Sequence, residues 1–176
     1  NNKLRLLINH LNWLNLDWED RSLLLQAKAL MSSNLWRSRQ DNFDLTSKEF
    51  RVFSQWADDG IIQYLIRELN IENKKFIEFG VGNYFESNTH FLLVNDNWSG
   101  FVIDGSQKCM DIVRNNPFFW RYDLRLKTAF INKDNINILL SESNFTDIGL
   151  LHIDLDGNDY WILDSIDMDK YSQDIL

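Results

Sequence analysis

The chain holds one cysteine, one proline and seven glycines in 176 residues, and its 18 basic residues are outnumbered by 26 acidic ones. A lone Cys109 cannot close an internal disulfide. There is no run of 18 apolar residues and no basic-then-apolar leader, which argues against a membrane span and a secretory signal and predicts a cytoplasmic protein. A net charge of −8 without a local Lys/Arg cluster gives a duplex or an anionic membrane surface nothing to hold by counterion release, so no nucleic-acid partner is expected. Gly/Ser/Pro linkers, internal repeats and low-complexity tracts are missing as well. Asparagine is abundant, and no function attaches to it.

What is present is a globular composition: 44% hydrophobic, 14% aromatic and 25% charged residues. A chain of this length suffices for one domain that buries about two-thirds of its unfolded surface without disulfide or metal staples. Leu4, Leu7, Leu11 and Leu14 recur at helical spacing and residues 19–31 carry a second apolar stripe, which predicts two opening amphipathic helices. Thr46 and Glu49 fit a capping box, and Asp58-Asp59-Gly60 precedes a helix over 58–69.

From Lys74 onward, short β-rich apolar runs alternate with helical segments, the pattern of βαβ units and a parallel sheet. The predicted strands are Lys75–Phe79, Gly100–Ile103, Thr128–Ile131 and Gly149–Asp154. The predicted helices between and after them are Ser87–Asn95, Ser106–Arg114, Asp134–Leu140 and a segment from Asn158 to Ile166. Asp174-Ile175-Leu176 reads as the opening of a fifth strand, so the expected division is a helical extension over 1–50 and a domain over 51–176 that stops as that strand begins. In such an open sheet the ligand site lies just past the carboxyl ends of the strands.

Two strand ends carry the chemistry. Phe76-Ile77-Glu78-Phe79-Gly80-Val81-Gly82-Asn83 ends a strand on an acidic residue and a Gly-x-Gly turn, where glycine lets the backbone bend and approach a ligand. The dinucleotide pattern G-x-G-x-x-G would need glycine at Phe85, and Glu78 would repel a pyrophosphate, so NAD and FAD are disfavoured. Asp104-Gly105 ends the next strand 22 residues after Gly82. Alone it reads as a turn; in register with the glycines it becomes a carboxylate for the hydroxyls of a ribose.

Glu78, Gly80, Gly82 and Asp104 together resemble the first two motifs of class I S-adenosylmethionine-dependent methyltransferases. The segment Ile153-Asp154-Leu155-Asp156-Gly157-Asn158-Asp159 resembles that superfamily's substrate-side motif, and residues 53–60 resemble the Ser-Gln-x-Gly-Glu-Asp stretch ahead of the first strand in FkbM-like members. Tyr84 stands at the third glycine of the E-x-G-x-G-x-G pattern, and Ala57-Asp58 stands where Gly-Glu is usual. The resemblance covers residues 53–176. It implies a doubly wound, mainly parallel Rossmann-like α/β sheet with helices on both faces, preceded by the helical segment. It also implies a methyl-transfer enzyme acting on a small-molecule acceptor such as the hydroxyl of a sugar or glycan precursor. Glu78, Gly80 and Gly82 would hold the methionine part of the cofactor, Asp104 and Gly105 its ribose, Asn132 or a neighbour after the third strand its adenine, and Gln55 would shape its mouth.

Deprotonating such a hydroxyl needs a base or a metal, for which Asp154, Asp156 and His152 are the candidates. Asp154 and Asp156 could also share Mg2+ or another divalent cation, as in the macrocin-type O-methyltransferases that the D-x-D-G resembles, with further ligands from beyond Leu176. Structural readings stand beside these: a satisfied interior histidine at His152, a turn and helix cap at residues 156–159, a cap or a mouth residue at Asp59, core packing at Cys109, and core or sugar-site roles for Trp98, Trp120 and Trp161. The opening helices either cover the site or pair subunits into a homo-oligomer. The competing functions are a non-catalytic regulatory or assembly module and a nucleotide-using epimerase or dehydrogenase.

Overall fold

A computed structural model describes residues 18–37, 44–116 and 119–176. The first predicted helix, over 4–16, lies outside the described residues. The second is present as α1, residues 18–32, followed by α2, Asn34–Arg37. After a 3-10 turn at Leu45–Lys48 come α3 (Asp58–Glu68), β1 (Lys75–Phe79), α4 (His90–Asp96), β2 (Ser99–Asp104) and α5 (Gln107–Asn115). The chain continues through a short 3-10 turn at Phe119–Arg121 to β3 (Leu124–Thr128), α6 (Ile136–Glu142), β4 (Asp147–Ile153), α7 (Asp159–Leu163) and β5 (Ser172–Ile175).

All four strand pairings are parallel, in the order β3-β2-β1-β4-β5. This is the doubly wound α/β sheet expected. Side-chain alternation sorts the helices: Ile77, Phe79, Phe101 and Ile103 pack with Ile136, Leu139 and Leu140 of α6 and Ile162 of α7. Phe76 and Val102 face the other way, against Ile62 of α3, Leu92 and Leu93 of α4, and Met110 and Val113 of α5. Ala27, with Leu24 and Met31 beside it, seats α1 on Phe91 of α4 and on Val52 and Phe53.

Several predicted elements are corrected. The third strand runs over Leu124–Thr128 instead of Thr128–Ile131. Its two charges hid the strand pattern: Arg125 lies over the rings of Phe101 and Phe145, and Lys127 pairs with Glu142 at 2.6 Å. The capping box is not formed, because Asp44 caps the turn by accepting from the Thr46 amide at 3.0 Å. The helix after β4 ends at Leu163, since Asn137 takes over the chain beyond it, donating to Ser165 O and accepting from Asp167 N. β5 opens at Ser172, two residues before the run read from the sequence.

His90, the first residue of α4, ties the two lips of the sheet's crevice together. Its ring stacks on Phe53 at 3.9 Å, lies 5.1 Å from the Tyr84 ring, and is fully buried. Burial lowers its pKa from 6.5 to about 4. Between those values the unfolded chain takes up a proton that the folded chain refuses, so stability that is full above pH 6.5 drains away as pH falls to about 4. The full loss is about 3 kcal/mol. Denaturant unfolding at steps from pH 7.5 to 4 should show this slope, and His90→Phe should flatten it; an equal slope in the variant would assign it to other groups.

Candidate functional site

In this strand order the chain starts at β1, moves outward through β2 to β3, and returns to β4 on the other side of β1. The crevice at that reversal is where open α/β sheets bind ligands. A cleft of about 350 Å3 occupies it, lined by Gln55 and Trp56, by Glu78 and the turn from Gly80 to Asn83, by Glu86 to Asn88, and by Cys109 and Asp154.

Glycine is required at the bottom of this cleft. Gly80 has φ +77, and a Cβ there would stand 1.7 Å from the carbonyl oxygen of Asp154. Gly82, at φ +53, faces open space. Tyr84, at the third glycine position of the resembled motif, holds the same left-handed conformation at φ 66. A buried aromatic ring, with its hydroxyl 3.0 Å from Thr89 Oγ1, stabilises the turn where glycine would have supplied freedom.

Glu78 differs most from its expected role. It is 3% exposed, and its carboxylate accepts from Ser87 Oγ (2.9 Å), Asn88 N (3.0 Å), Thr89 N (3.2 Å) and Thr89 Oγ1 (2.5 Å). These bonds consume residues 87–89 and explain why α4 starts at His90 and not at Ser87. Burial, and then the charge of Glu78, push the Tyr84 hydroxyl well above its ordinary range. His152, paired in register with Glu78 across β1 and β4, has Nε2 2.9 Å from Asn88 Nδ2 and Nδ1 3.5 Å from Glu78 Oε1. It stands behind the cleft wall.

Asp104 is positioned at the glycine turn. One carboxylate oxygen accepts from Gly82 N at 2.8 Å and the other from Ser106 N at 2.7 Å. Gln55 and Trp56 are brought in by Asp59, which is neither a helix cap nor a cleft residue. Its buried Oδ2 accepts from the amides of Val52, Phe53 and Ser54 at 2.7, 2.7 and 3.1 Å. Burial raises its carboxyl above the ordinary value even though these amides pull the other way.

The remaining expectations separate. Glu78, Gly80, Gly82, Gln55 and Asp154 line the cleft, while Gly105, Asn132, Asp156 and His152 do not, and Asp104 meets it only through its bond to Gly82 N. Asn132 lies four residues past the true end of β3, and its side chain is taken by the amides of Asp134 and Asn135. Asp156 sits in an exposed turn at φ 49 that Asp159 fastens by accepting from Leu155 N and Gly157 N, bonds that hold the Asp159 carboxyl below its ordinary value. Among the described residues no three His, Cys, Asp or Glu side chains gather as metal ligands. Cys109 is not core packing: it reaches the cleft from the first turn of α5, while its neighbour Met110 is the buried residue. Trp98 is core, Trp120 and Trp161 are exposed away from the cleft lining, and the aromatic ring at the mouth is Trp56, 77% exposed.

No protein-family model matches the chain, and no curated protein matches it in sequence. Among solved structures it is similar to a protein-L-isoaspartate O-methyltransferase at 10% identity and a TM-score of 0.41, over 76% of this chain and 47% of that one. The chain thus spans about half the length of that protein. An overlap so slight assigns no function; the strand order and the cleft define an α/β domain with a ligand crevice at its reversal point.

The two glycines should respond differently to a methyl group. Gly80→Ala must displace β4 backbone as well as strain φ and should cost about 3 kcal/mol or more, whereas Gly82→Ala meets only the left-handed penalty of about 1–2 kcal/mol. Denaturant unfolding of both variants checks the order, and equal costs would contradict the close approach of Gly80 to Asp154.

Proposed function

We propose that the protein is an S-adenosylmethionine-dependent methyltransferase acting on a hydroxyl of a small molecule such as a sugar or glycan precursor. The observation that carries this reading is the junction of Asp104 with the Gly80–Gly82 turn at the sheet's reversal point. Each carboxylate oxygen of Asp104 holds one backbone amide and keeps a further lone pair, enough to accept from two vicinal hydroxyls. Gly82 leaves open space above the turn, and a volume of about 350 Å3 is in the range of small-ligand sites.

Charge supports the same cofactor. Glu78, Glu86 and Asp154 line the cleft, and among the described residues no Lys, Arg or His does. Arg51, which pairs with Glu86 at 3.2 Å, is on the exposed rim. Such a cleft attracts a sulfonium and repels a pyrophosphate, which disfavours the dehydrogenase alternative.

When bound, the cofactor supplies an electrophilic methyl group on a positively charged sulfur. The chain's part is to orient the acceptor and take its proton. Asp154, exposed at the carboxyl end of β4 and in the cleft wall, is the group placed to do so. Glu78 acts as the buried anchor of the 87–89 loop, and His152, held between Asn88 and Glu78, supports that loop from β4. The described residues do not fit a divalent cation, because Asp154 and Asp156 stand without a third ligand. No step is assigned to a metal.

Calorimetric titration with S-adenosylmethionine, its demethylated product and NAD tests the reading. Micromolar binding of the first two and none of NAD is expected. Binding without turnover across acceptors would instead favour a non-catalytic module, and NAD binding a dehydrogenase or epimerase. Asp104→Ala should weaken cofactor binding by about tenfold or more with a normal thermal transition, since it removes charge-assisted bonds. Methyl transfer should survive exhaustive chelation; its loss would return Asp154 and Asp156 to a metal role.

A further inference from the structure

A second cavity, of about 410 Å3, lies between α1, α2 and α3. Its sign is opposite to that of the cleft: three cations, Lys28, Arg37 and Arg67, accompany the apolar Met31, Trp36 and Ile66, and among the described residues no carboxylate belongs to the lining. In a chain with eight more acidic than basic residues, this local excess runs against the general charge. Ile66 and Arg67 close α3 shortly before β1 opens, so the cavity lies at the edge where the strands begin, away from the glycine turn.

Two of its three cations are held by hydrogen bonds to backbone carbonyls. Arg67 donates to the carbonyl of Arg37 at 2.8 Å and lies 3.6 Å from Glu68, and its guanidinium stands 5.9 Å over the Trp36 ring. Arg37 donates through Nε to Met31 O at 2.9 Å, which fixes its fork beside the cavity. Among the described residues, no carboxylate lies within ion-pairing distance of Lys28 or Arg37. Asp96, on α4, is held by the side-chain amides of Gln63 and Asn95; burial raises its carboxyl above the ordinary value, against the pull of those bonds and of Lys74 and Lys28.

We infer that this cavity binds a small organic anion, a phosphate monoester or carboxylate carried on an apolar body. Guanidinium forks match the oxygens of such groups, and the Met31, Trp36 and Ile66 surfaces match the body. An occupant would join α1 and α2 to α3 and stabilise the helical segment against the sheet.

The test is a titration of the whole chain with phenyl phosphate, benzoate and phenol, three probes sharing a ring and differing in charge, followed by calorimetry and hydrogen exchange. Either anion is expected to bind about tenfold or more tighter than phenol, and to protect amides in residues 18–37. Phenyl phosphate ahead of benzoate identifies a phosphate ester as the natural chemistry, and the reverse order a carboxylate. Lys28→Gln and Arg37→Gln, each with an unaltered thermal transition, should weaken the favoured anion about fivefold or more. Binding of phenol as tight as either anion, no saturable binding of the anions, or affinity unchanged in both variants would overturn the inference.

Discussion

The cleft depends on a buried carboxylate. Glu78 ends the central strand with almost no contact with water, and a charge so placed costs several kcal/mol unless hydrogen bonds replace its hydration. Here the replacement comes from one short segment, Ser87 to Thr89, which folds back over the strand end and gives up a first helical turn to do so. The loop from Gly80 to Asn88, the buried Tyr84 and the placement of Asn88 against His152 all follow from that one demand. An acidic residue in this motif is thus a device for shaping the crevice before it is a ligand group.

Electrostatics then divides the cleft from the cavity beside α1 to α3. The crevice at the carboxyl ends of the strands gathers acidic side chains, and the cavity beside α1 to α3 gathers basic ones. Surface charges at ordinary salt are screened within about 10 Å, so each cavity responds to its own lining and not to the net charge. A sulfonium and an organic anion can therefore be sorted to different places by a protein that is acidic as a whole.

Much of this was legible in the sequence where the physics is local. The glycine turn, the acidic ends of β1 and β2 and the alternation of strand and helix show themselves as short patterns, and right-handed parallel crossovers between such strands lead to an open doubly wound sheet. The third strand was misplaced because Arg125 and Lys127 occupy positions that tertiary partners neutralise, leaving the more apolar Ala129-Phe130-Ile131 as a false signal. The bonds that bury Glu78 were hidden for a similar reason: its partners lie in a loop that looked like the start of a helix. Cys109 and the cationic cavity were invisible, since helical spacing does not tell which side of a helix meets a crevice, and Lys28, Arg37 and Arg67 come together only through packing.

The contact between Gly80 and Asp154 has a mechanical consequence. With Gly80 N bonded to Ile103 O at 2.9 Å and Asp154 N bonded to Phe79 O at 3.2 Å, the ends of β2, β1 and β4 are stapled in a row, with no space for even a methyl group between two of them. The floor of the crevice therefore behaves as a single stiff strap. Its two ends cannot open separately, so a ligand arriving at either finds the geometry of both already set and spends little entropy in arranging it. The segment carrying Gln55 and Trp56 is tied down separately, through the backbone N–H groups of Val52, Phe53 and Ser54, which donate to the Asp59 carboxylate of α3.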